Sequence, residues 1–268
     1  MPELPEVETV ARQLAPRLVG RTVSRLRILD PLLRNGRTPR LSGRKVREVS
    51  RSGKQVLIHF GPGAVRYPLW LTIHLRMTGR LIWRERPQPG TPHLRARFAL
   101  DRGELLFIDT RRFGTFRWYR SPEEASPVGL DPLEAAFTPA RLAELLAGGR
   151  QAIKAWLLRQ DRLVGLGNIY ASEILYSARI SPFREAGSLR SQEVARLHKS
   201  ARRILERAIV HCGTTFSDFQ DARGIEGSYQ HFLAVYDRDD RRCRRCRRSI
   251  QRVVQQQRST FYCPGCQR

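Results

Sequence analysis

Cys243-Arg244-Arg245-Cys246 and Cys263-Pro264-Gly265-Cys266, with sixteen residues between the two pairs, decide the fold at the C-terminal end of the chain. Each Cys-x2-Cys turn presents two thiolates, and two such knuckles close a tetrahedral site, so one structural Zn2+ on Cys243, Cys246, Cys263 and Cys266 is expected. The competing reading is four free thiols. The stretch between the knuckles, Ser249–Tyr262, is predicted as a hairpin with Arg258 near its tip, followed by Ser259 and Thr260. A ribbon this small has little core, and metal binding supplies most of its folding energy. Arg241, Arg242, Arg244, Arg245, Arg247 and Arg248 crowd the first knuckle, which suits a phosphate-facing surface or a solvated basic face. Cys212 is left over and is expected as a buried helix residue.

Working back from the knuckles, residues 213–232 read as a loop rich in Gly, Asp and Ser. Helices are predicted at Ser191–His211, Asn168–Ala178, Ile153–Arg159 and Thr138–Leu146. Gly165-Leu166-Gly167-Asn168 precedes the second of these. Backbone N–H groups at a helix start form a ready anion site, and Asn168 can cap the helix or bind phosphate. Taken alone the glycines mark a tight turn. Beside Lys154 in a chain of this charge they point to the DNA backbone. Ser121–Pro132 reads as a linker.

Upstream the period changes to two. Thr22–Leu29, Lys45–Ser50, Gln55–Phe60, Trp70–Leu75, Leu81–Arg84, Leu94–Leu100, Leu105–Asp109 and Thr115–Tyr119 are predicted strands. Turn residues at Asn35-Gly36, Gly61-Pro62-Gly63, Pro87–Pro92 and Arg102-Gly103 separate them. This is a sandwich or flattened barrel, preceded by an amphipathic helix over 5–19.

The 268 residues suffice for one large domain or two ordinary ones. Net charge is +24, from 49 Lys and Arg against 25 Asp and Glu, and four of the basic residues are Lys. Arg suits bidentate phosphate contacts, so nucleic acid is the first partner to expect. No apolar run approaches the ~20 residues that span a bilayer. Residues 2–8 do not read as a signal peptide, so a cytoplasmic protein is expected, without a membrane partner.

The opening stretch, Met1-Pro2-Glu3-Leu4-Pro5-Glu6-Val7-Glu8, supports two readings. One is a helix start, with Pro5 in the first turn and Glu6 and Glu8 near the positive end of the dipole. The other is chemical. Removal of Met1 frees a secondary amine on Pro2, which attacks an aldehyde-like carbon to give an iminium, with Glu3 placed to move protons.

Six motifs then occur in order: Pro2–Thr9, Ser52-Gly53-Lys54, His74-Leu75-Arg76-Met77-Thr78-Gly79, Asp109-Thr110-Arg111-Arg112-Phe113-Gly114, Gly165–Glu173 and Arg258–Pro264. With them the sequence resembles the formamidopyrimidine-DNA glycosylases over its whole length. The resemblance implies an α+β protein: an N-terminal catalytic β-sandwich with flanking helix over 1–120, a linker over 121–132, a helical helix–two-turn–helix domain with a lesion-capping loop over 133–232, and a zinc ribbon over 233–268. It implies a monomer that excises oxidised purines from double-stranded DNA containing a damaged base and then nicks the strand.

The resemblance also implies roles. Pro2 is the expected nucleophile, Glu3 the general acid, and Glu6 holds the terminus and its protons. Lys54 assists β-elimination and grips a phosphate; Arg258 binds phosphates and supports δ-elimination. Met77, Arg111 and Phe113 fill the gap left by the flipped nucleotide, with Arg111 reading the orphaned cytosine. His93, Lys154 and Asn168 contact DNA. Arg76, Gly149, Arg247 and the run Gly227-Ser228-Tyr229-Gln230 depart from the family pattern, in DNA contacts and in the capping loop.

Overall fold

The computed structural model describes residues 1–34, 38–62, 67–88 and 90–268, so the Asn35-Gly36 turn, Gly63 and Pro89 lie outside the described residues. The chain forms two compact units. The first comprises 1–126 with 211–230, and the second 127–210 with 231–268.

In the first unit, helix α1 (Leu4–Leu18) is followed by strands β1 (Val23–Ile28), β2 (Val46–Ser52), β3 (Gln55–Phe60), β4 (Leu69–His74), β5 (Gly79–Arg84), β6 (Leu94–Leu100), β7 (Glu104–Asp109) and β8 (Thr115–Tyr119). They form two antiparallel four-stranded sheets, ordered β1-β6-β7-β5 and β2-β3-β4-β8. Period-2 alternation places Val56, Ile58 and Phe60 of β3 and Phe98 of β6 in one core. There Phe116 of β8 meets Phe98 and Phe107 of the other sheet, with ring centroids 6.0 and 5.1 Å apart. Helix α1 adds Val7, Val10, Leu14 and Leu18 at helical spacing. The sheets touch at one corner through the Thr22–Lys45 bridge, so the architecture is a sandwich rather than a closed barrel.

The stretch 211–230 is far from these strands in sequence yet packs with them, and Phe219 and Ala222 join the sandwich core. Its Ala222 carbonyl accepts from Trp83 N at 3.0 Å on edge strand β5, covering part of an otherwise unpaired edge. Cys212, expected in a helix, sits just beyond one in a left-handed turn (φ 56°) and is half-buried, because α6 stops at Val210 and the chain bends back toward the sandwich.

A short helix α2 (Pro122–Ala125) closes the first unit, and its Ala125 carbonyl accepts from Ser52 Oγ at 3.0 Å. The second unit holds α3 (Pro139–Leu146), α4 (Ile153–Leu157), α5 (Asn168–Ala178) and α6 (Ser191–Val210), then the ribbon strands β9 (Gln251–Gln255) and β10 (Arg258–Tyr262). Helix α6 is amphipathic, burying Val194, Leu197, Ala201, Ile204 and Leu205. Helix α5 is apolar nearly all round and lies at the centre, against α4, α6 and β10. Tyr176 of α5 packs with Val235, Ile250 and Phe261, the small core of the ribbon.

One buried carboxylate ties α5 to the segment leading into the ribbon. Glu173 accepts backbone N–H bonds from Ala234, Val235 and Tyr236 at 2.9, 2.8 and 2.9 Å. Burial pushes its carboxyl pKa up, while the three amide donors favour the ionised form and pull it back. Removing it strands three amide donors away from water. Glu173→Ala is expected to cost about 3 kcal/mol and lower Tm by roughly 6–12 °C, measured by calorimetry on the zinc-loaded protein.

Candidate active site

In the first unit, the N-terminal stretch forms the expected helix start. Glu3 is the N-cap of α1 and forms a capping box with Glu6, whose Oε2 accepts from Glu3 N at 2.7 Å. Pro2, Glu3 and Glu6 are all buried. The second Glu6 oxygen accepts from Thr214 N at 2.7 Å, so one carboxylate fixes the helix start against the 211–230 loop. Gly213 makes this possible: its φ is +79°, and a Cβ there would lie 2.7 Å from Glu6 Oε1. Gly227 closes the base of the same loop, where a Cβ would lie 2.3 Å from the Gly213 carbonyl.

Lys54 sits on the two-residue turn between β2 and β3. The turn is braced by Arg51, whose Nε donates to Glu8 of α1 at 2.8 Å and whose NH1 donates to Gly53 O at 3.2 Å. The helix that presents Pro2 therefore also positions the Lys54 turn. His74, across the ladder from Gln55, accepts from Arg76 N at 3.0 Å through Nδ1. Burial first, then the positive charges of Arg76, Lys54 and Arg117, push its pKa down to about 4.

Met77, Arg111 and Phe113 stand on two adjacent loops organised by Asp109. The buried Asp109 carboxylate accepts from Thr78 Oγ1, from Arg111 N at 3.3 Å and from Gly114 N at 2.7 Å. Met77 is 41% and Phe113 50% exposed, and the Arg111 guanidinium lies 4.8 Å over the Phe113 ring. His93 is exposed in a left-handed turn (φ 57°), and its carbonyl accepts from Asp109 N at 3.0 Å. Next to Arg111, Arg112 forms a bidentate pair with the buried Asp30, both bonds 2.8 Å, which holds the Asp30 carboxyl below the usual carboxylate range.

Across the base of the 211–230 loop, Gln13 of α1 donates to Asp221 at 2.8 Å and accepts from Ala222 N at 3.0 Å. Phe216, by contrast, is half exposed.

In the second unit, the glycine turn is stitched by Gln160. Its Nε2 donates to Leu158 O and Leu166 O, both at 2.9 Å, and its Oε1 accepts from Gly165 N at 3.0 Å. Asn168 begins α5 and donates to Ser259 O at 2.9 Å. Lys154 is buried, and its ammonium donates to Ser259 O at 2.9 Å and Thr260 Oγ1 at 2.7 Å. Both residues thus grip the ribbon strand that starts with Arg258. Arg258 is exposed beside the two-residue turn Gln256-Gln257, whose φ values are both positive.

The four cysteine sulfurs lie within 4.8 Å of one another, with Cys243–Cys266 at 3.8 Å and Cys246–Cys263 at 3.3 Å. A tetrahedral zinc with Zn–S near 2.3 Å needs sulfurs about 3.8 Å apart, so the four thiols fit one structural Zn2+. Arg245 N points at Cys243 Sγ from 3.4 Å, an outer bond that suits a thiolate.

The fold joins a β-sandwich, a helical unit with a glycine turn and a four-cysteine ribbon. Residues 1–116 match the family model of the formamidopyrimidine-DNA glycosylase N-terminal domain, 128–220 that of its H2TH domain, and 242–268 that of the zinc finger found in FPG and IleRS. The formamidopyrimidine-DNA glycosylase of Symbiobacterium thermophilum is 45% identical over all of this chain and 89% of its own. The crystal structure of the MutM (Fpg) protein of Thermus thermophilus superposes with a TM-score of 0.86 at 38% identity, covering 99% of this chain and 98% of that one. A variant Lactococcus lactis FPG in complex with DNA containing Fapy-dG superposes with a TM-score of 0.87 at 30% identity, covering 99% of each chain. The chain belongs to the formamidopyrimidine-DNA glycosylase family.

Sequence reasoning missed the residues that hold the candidate side chains in place. Glu8 with Arg51, Asp109 with Thr78, Gln13 with Asp221, and Gln160 are ordinary polar residues in the sequence, and nothing local signals their distant partners.

Two measurements check this site. Neutral His74 stabilises the fold fully above its unfolded pKa near 6.5, and this contribution is lost as pH falls from 6.5 toward about 4, by at most about 1.4 kcal/mol per pH unit. Urea titrations between pH 7 and 4.5 should show that slope, and His74→Gln should flatten it. Cys243→Ser is expected to abolish stoichiometric zinc by metal analysis and to weaken duplex binding by at least about tenfold, because the Arg258 hairpin loses its frame.

Proposed function

We propose that this glycosylase excises oxidised purines, 8-oxoguanine and formamidopyrimidines, from duplex DNA through the amine of Pro2, and then cuts the strand by β,δ-elimination. The observation that carries the reading is the buried junction at the start of α1. There Pro2 and Glu3 are fixed by the capping box, and Glu6 joins them to the 211–230 loop.

A base inside the duplex is out of reach, so the nucleotide is flipped out at a cost of a few kcal/mol. Met77 and Phe113, exposed on loops that Asp109 holds rigid, fill the gap and recover part of that cost by stacking. Arg111 reads the orphaned cytosine by hydrogen bonds. His93 contacts the DNA beside them.

Once Met1 is removed, the Pro2 nitrogen bonds to C1′ as the glycosidic bond breaks and the base leaves. Glu3 protonates the ring oxygen as the sugar opens, giving an iminium that links protein and DNA. Loss of a C2′ proton expels the 3′ phosphate, with Lys54 assisting, and a second elimination expels the 5′ phosphate, with Arg258 holding it. Water then hydrolyses the iminium, releasing the unsaturated five-carbon aldehyde and restoring the Pro2 amine, so the products are a free base, that aldehyde and a gap with phosphate ends. Asn168 and Lys154 contact the DNA backbone beside Arg258, from positions where they also hold Ser259 and Thr260.

We read 1–120 as the catalytic domain, 121–132 as the linker, 133–232 as the helical domain, whose capping-loop stretch 211–230 packs with the sandwich, and 233–268 as the zinc ribbon. The chain works as a monomer on chromosomal DNA in the bacterial cytoplasm. No helix among the described residues is long and apolar enough to cross a membrane.

Borohydride trapping on a duplex with 8-oxoguanine opposite cytosine tests the reading. A covalent band is expected with the wild type, and Pro2→Gly is expected to lose it along with roughly 10³-fold or more of base excision. Undiminished excision by Pro2→Gly would sink the mechanism.

A further inference from the structure

The arginines of the first knuckle find no place in the mechanism above. In the second unit, α5 runs from Asn168, bonded to Ser259 at the hairpin tip, to Tyr176, whose hydroxyl lies 3.3 Å from Cys243 Sγ. The eight steps between them along the helix span about 12 Å. The knuckles therefore stand at the opposite end of the ribbon from Arg258.

At that end a cleft of about 690 Å³ opens between the C-terminus of α5, the start of α6 and the knuckles. Its walls carry Arg179, Arg190, Arg196, Arg245 and Arg268, against a single acidic side chain, Glu193. Glu193 is already engaged: Arg184 holds both its oxygens at 2.5 and 3.1 Å, Arg190 N donates to it at 2.9 Å, and its pKa is pushed down to about 2 by Arg184 first. Arg179 and Arg268 make no side-chain ion pair among the described residues, and Arg190 remains 85% exposed despite its Glu193 contact. Arg248 adds to the same rim, its side chain lying against Gly265.

We propose that this cleft is a second polyanion site that takes the phosphate backbone of another duplex segment while the first duplex occupies the active site. Guanidinium groups converging on a cleft supply the bidentate donors that phosphates need. An acidic protein partner fits less well, because the cleft offers no Leu, Phe or Trp pocket to seat a buried anchor. A DNA-repair enzyme with such a site can pass between neighbouring segments without complete release.

The test uses the full-length, zinc-loaded protein, trapped by borohydride on a short 8-oxoguanine duplex so that the first site is covalently filled. A labelled, undamaged 20-base-pair duplex is then titrated by anisotropy at several salt concentrations. The trapped wild type is expected to bind it. The combination of Arg179→Gln, Arg190→Gln and Arg196→Gln is expected to trap with unchanged yield, to lose at least about tenfold in second-duplex affinity, and to reduce the salt slope by roughly two to three units. Arg190→Gln alone, at a solvated position that folding does not need, is expected to shift the slope by about one unit. No second binding by the trapped wild type at low salt, equal binding by the triple variant, or polyglutamate binding as tightly as DNA would each overturn the proposal. Failure to trap at all would fall on the Pro2 mechanism instead.

Discussion

A buried carboxylate accepting backbone N–H bonds is the interaction on which this molecule depends. Glu6 accepts from Glu3 and Thr214, Asp109 from Arg111 and Gly114, Glu173 from Ala234, Val235 and Tyr236, and Asp221 from Arg223 and Ile225. Each pins a non-repetitive segment that repeats of helix or sheet cannot hold. Bonds to an ionised acceptor contribute about 1.5–3 kcal/mol each, and loss of the acceptor leaves several donors unsatisfied. In a chain of net charge +24 the acids are the scarce charge, and these positions place them inside, where the surrounding positive field offsets part of their desolvation.

Pinning of this kind explains how large side chains can stand exposed and still be placed accurately. Met77 and Phe113 carry apolar surface into solvent, which costs stability, yet the loops beneath them share one acceptor through Thr78 Oγ1 and Gly114 N. An exposed side chain that meets a partner gains from a backbone fixed beforehand, because ordering it on binding would cost affinity. The 211–230 loop divides along the same line. Asp221 and Ala222 are tied to Gln13 of α1, whereas Phe216 projects half exposed.

How much of this was legible follows from the range of each interaction. Periodicity reports local burial, so all eight sandwich strands and the helix Asn168–Ala178 could be read directly. Cysteine spacing reports a four-point constraint along one short segment, so the zinc ligands could be read as well. Chain reversal after α6 was not legible. The return of residues 211–230 to the sandwich rests on Glu6–Thr214 and Gln13–Asp221, each more than two hundred residues apart. Lys154 illustrates a subtler limit: its burial and its bonds to Ser259 and Thr260, about a hundred residues away, have no local signal in the sequence.

The choice between lysine and arginine follows the same physical logic. Lys154 places a compact ammonium against two oxygens of one strand, Ser259 O and Thr260 Oγ1. Arg44 is the converse, a buried guanidinium whose fork reaches the carbonyls of Arg40, Gly61 and Tyr67. Lys54 stands on a half-buried turn beside His74, where it presents a compact ammonium on a flexible stem rather than a planar fork.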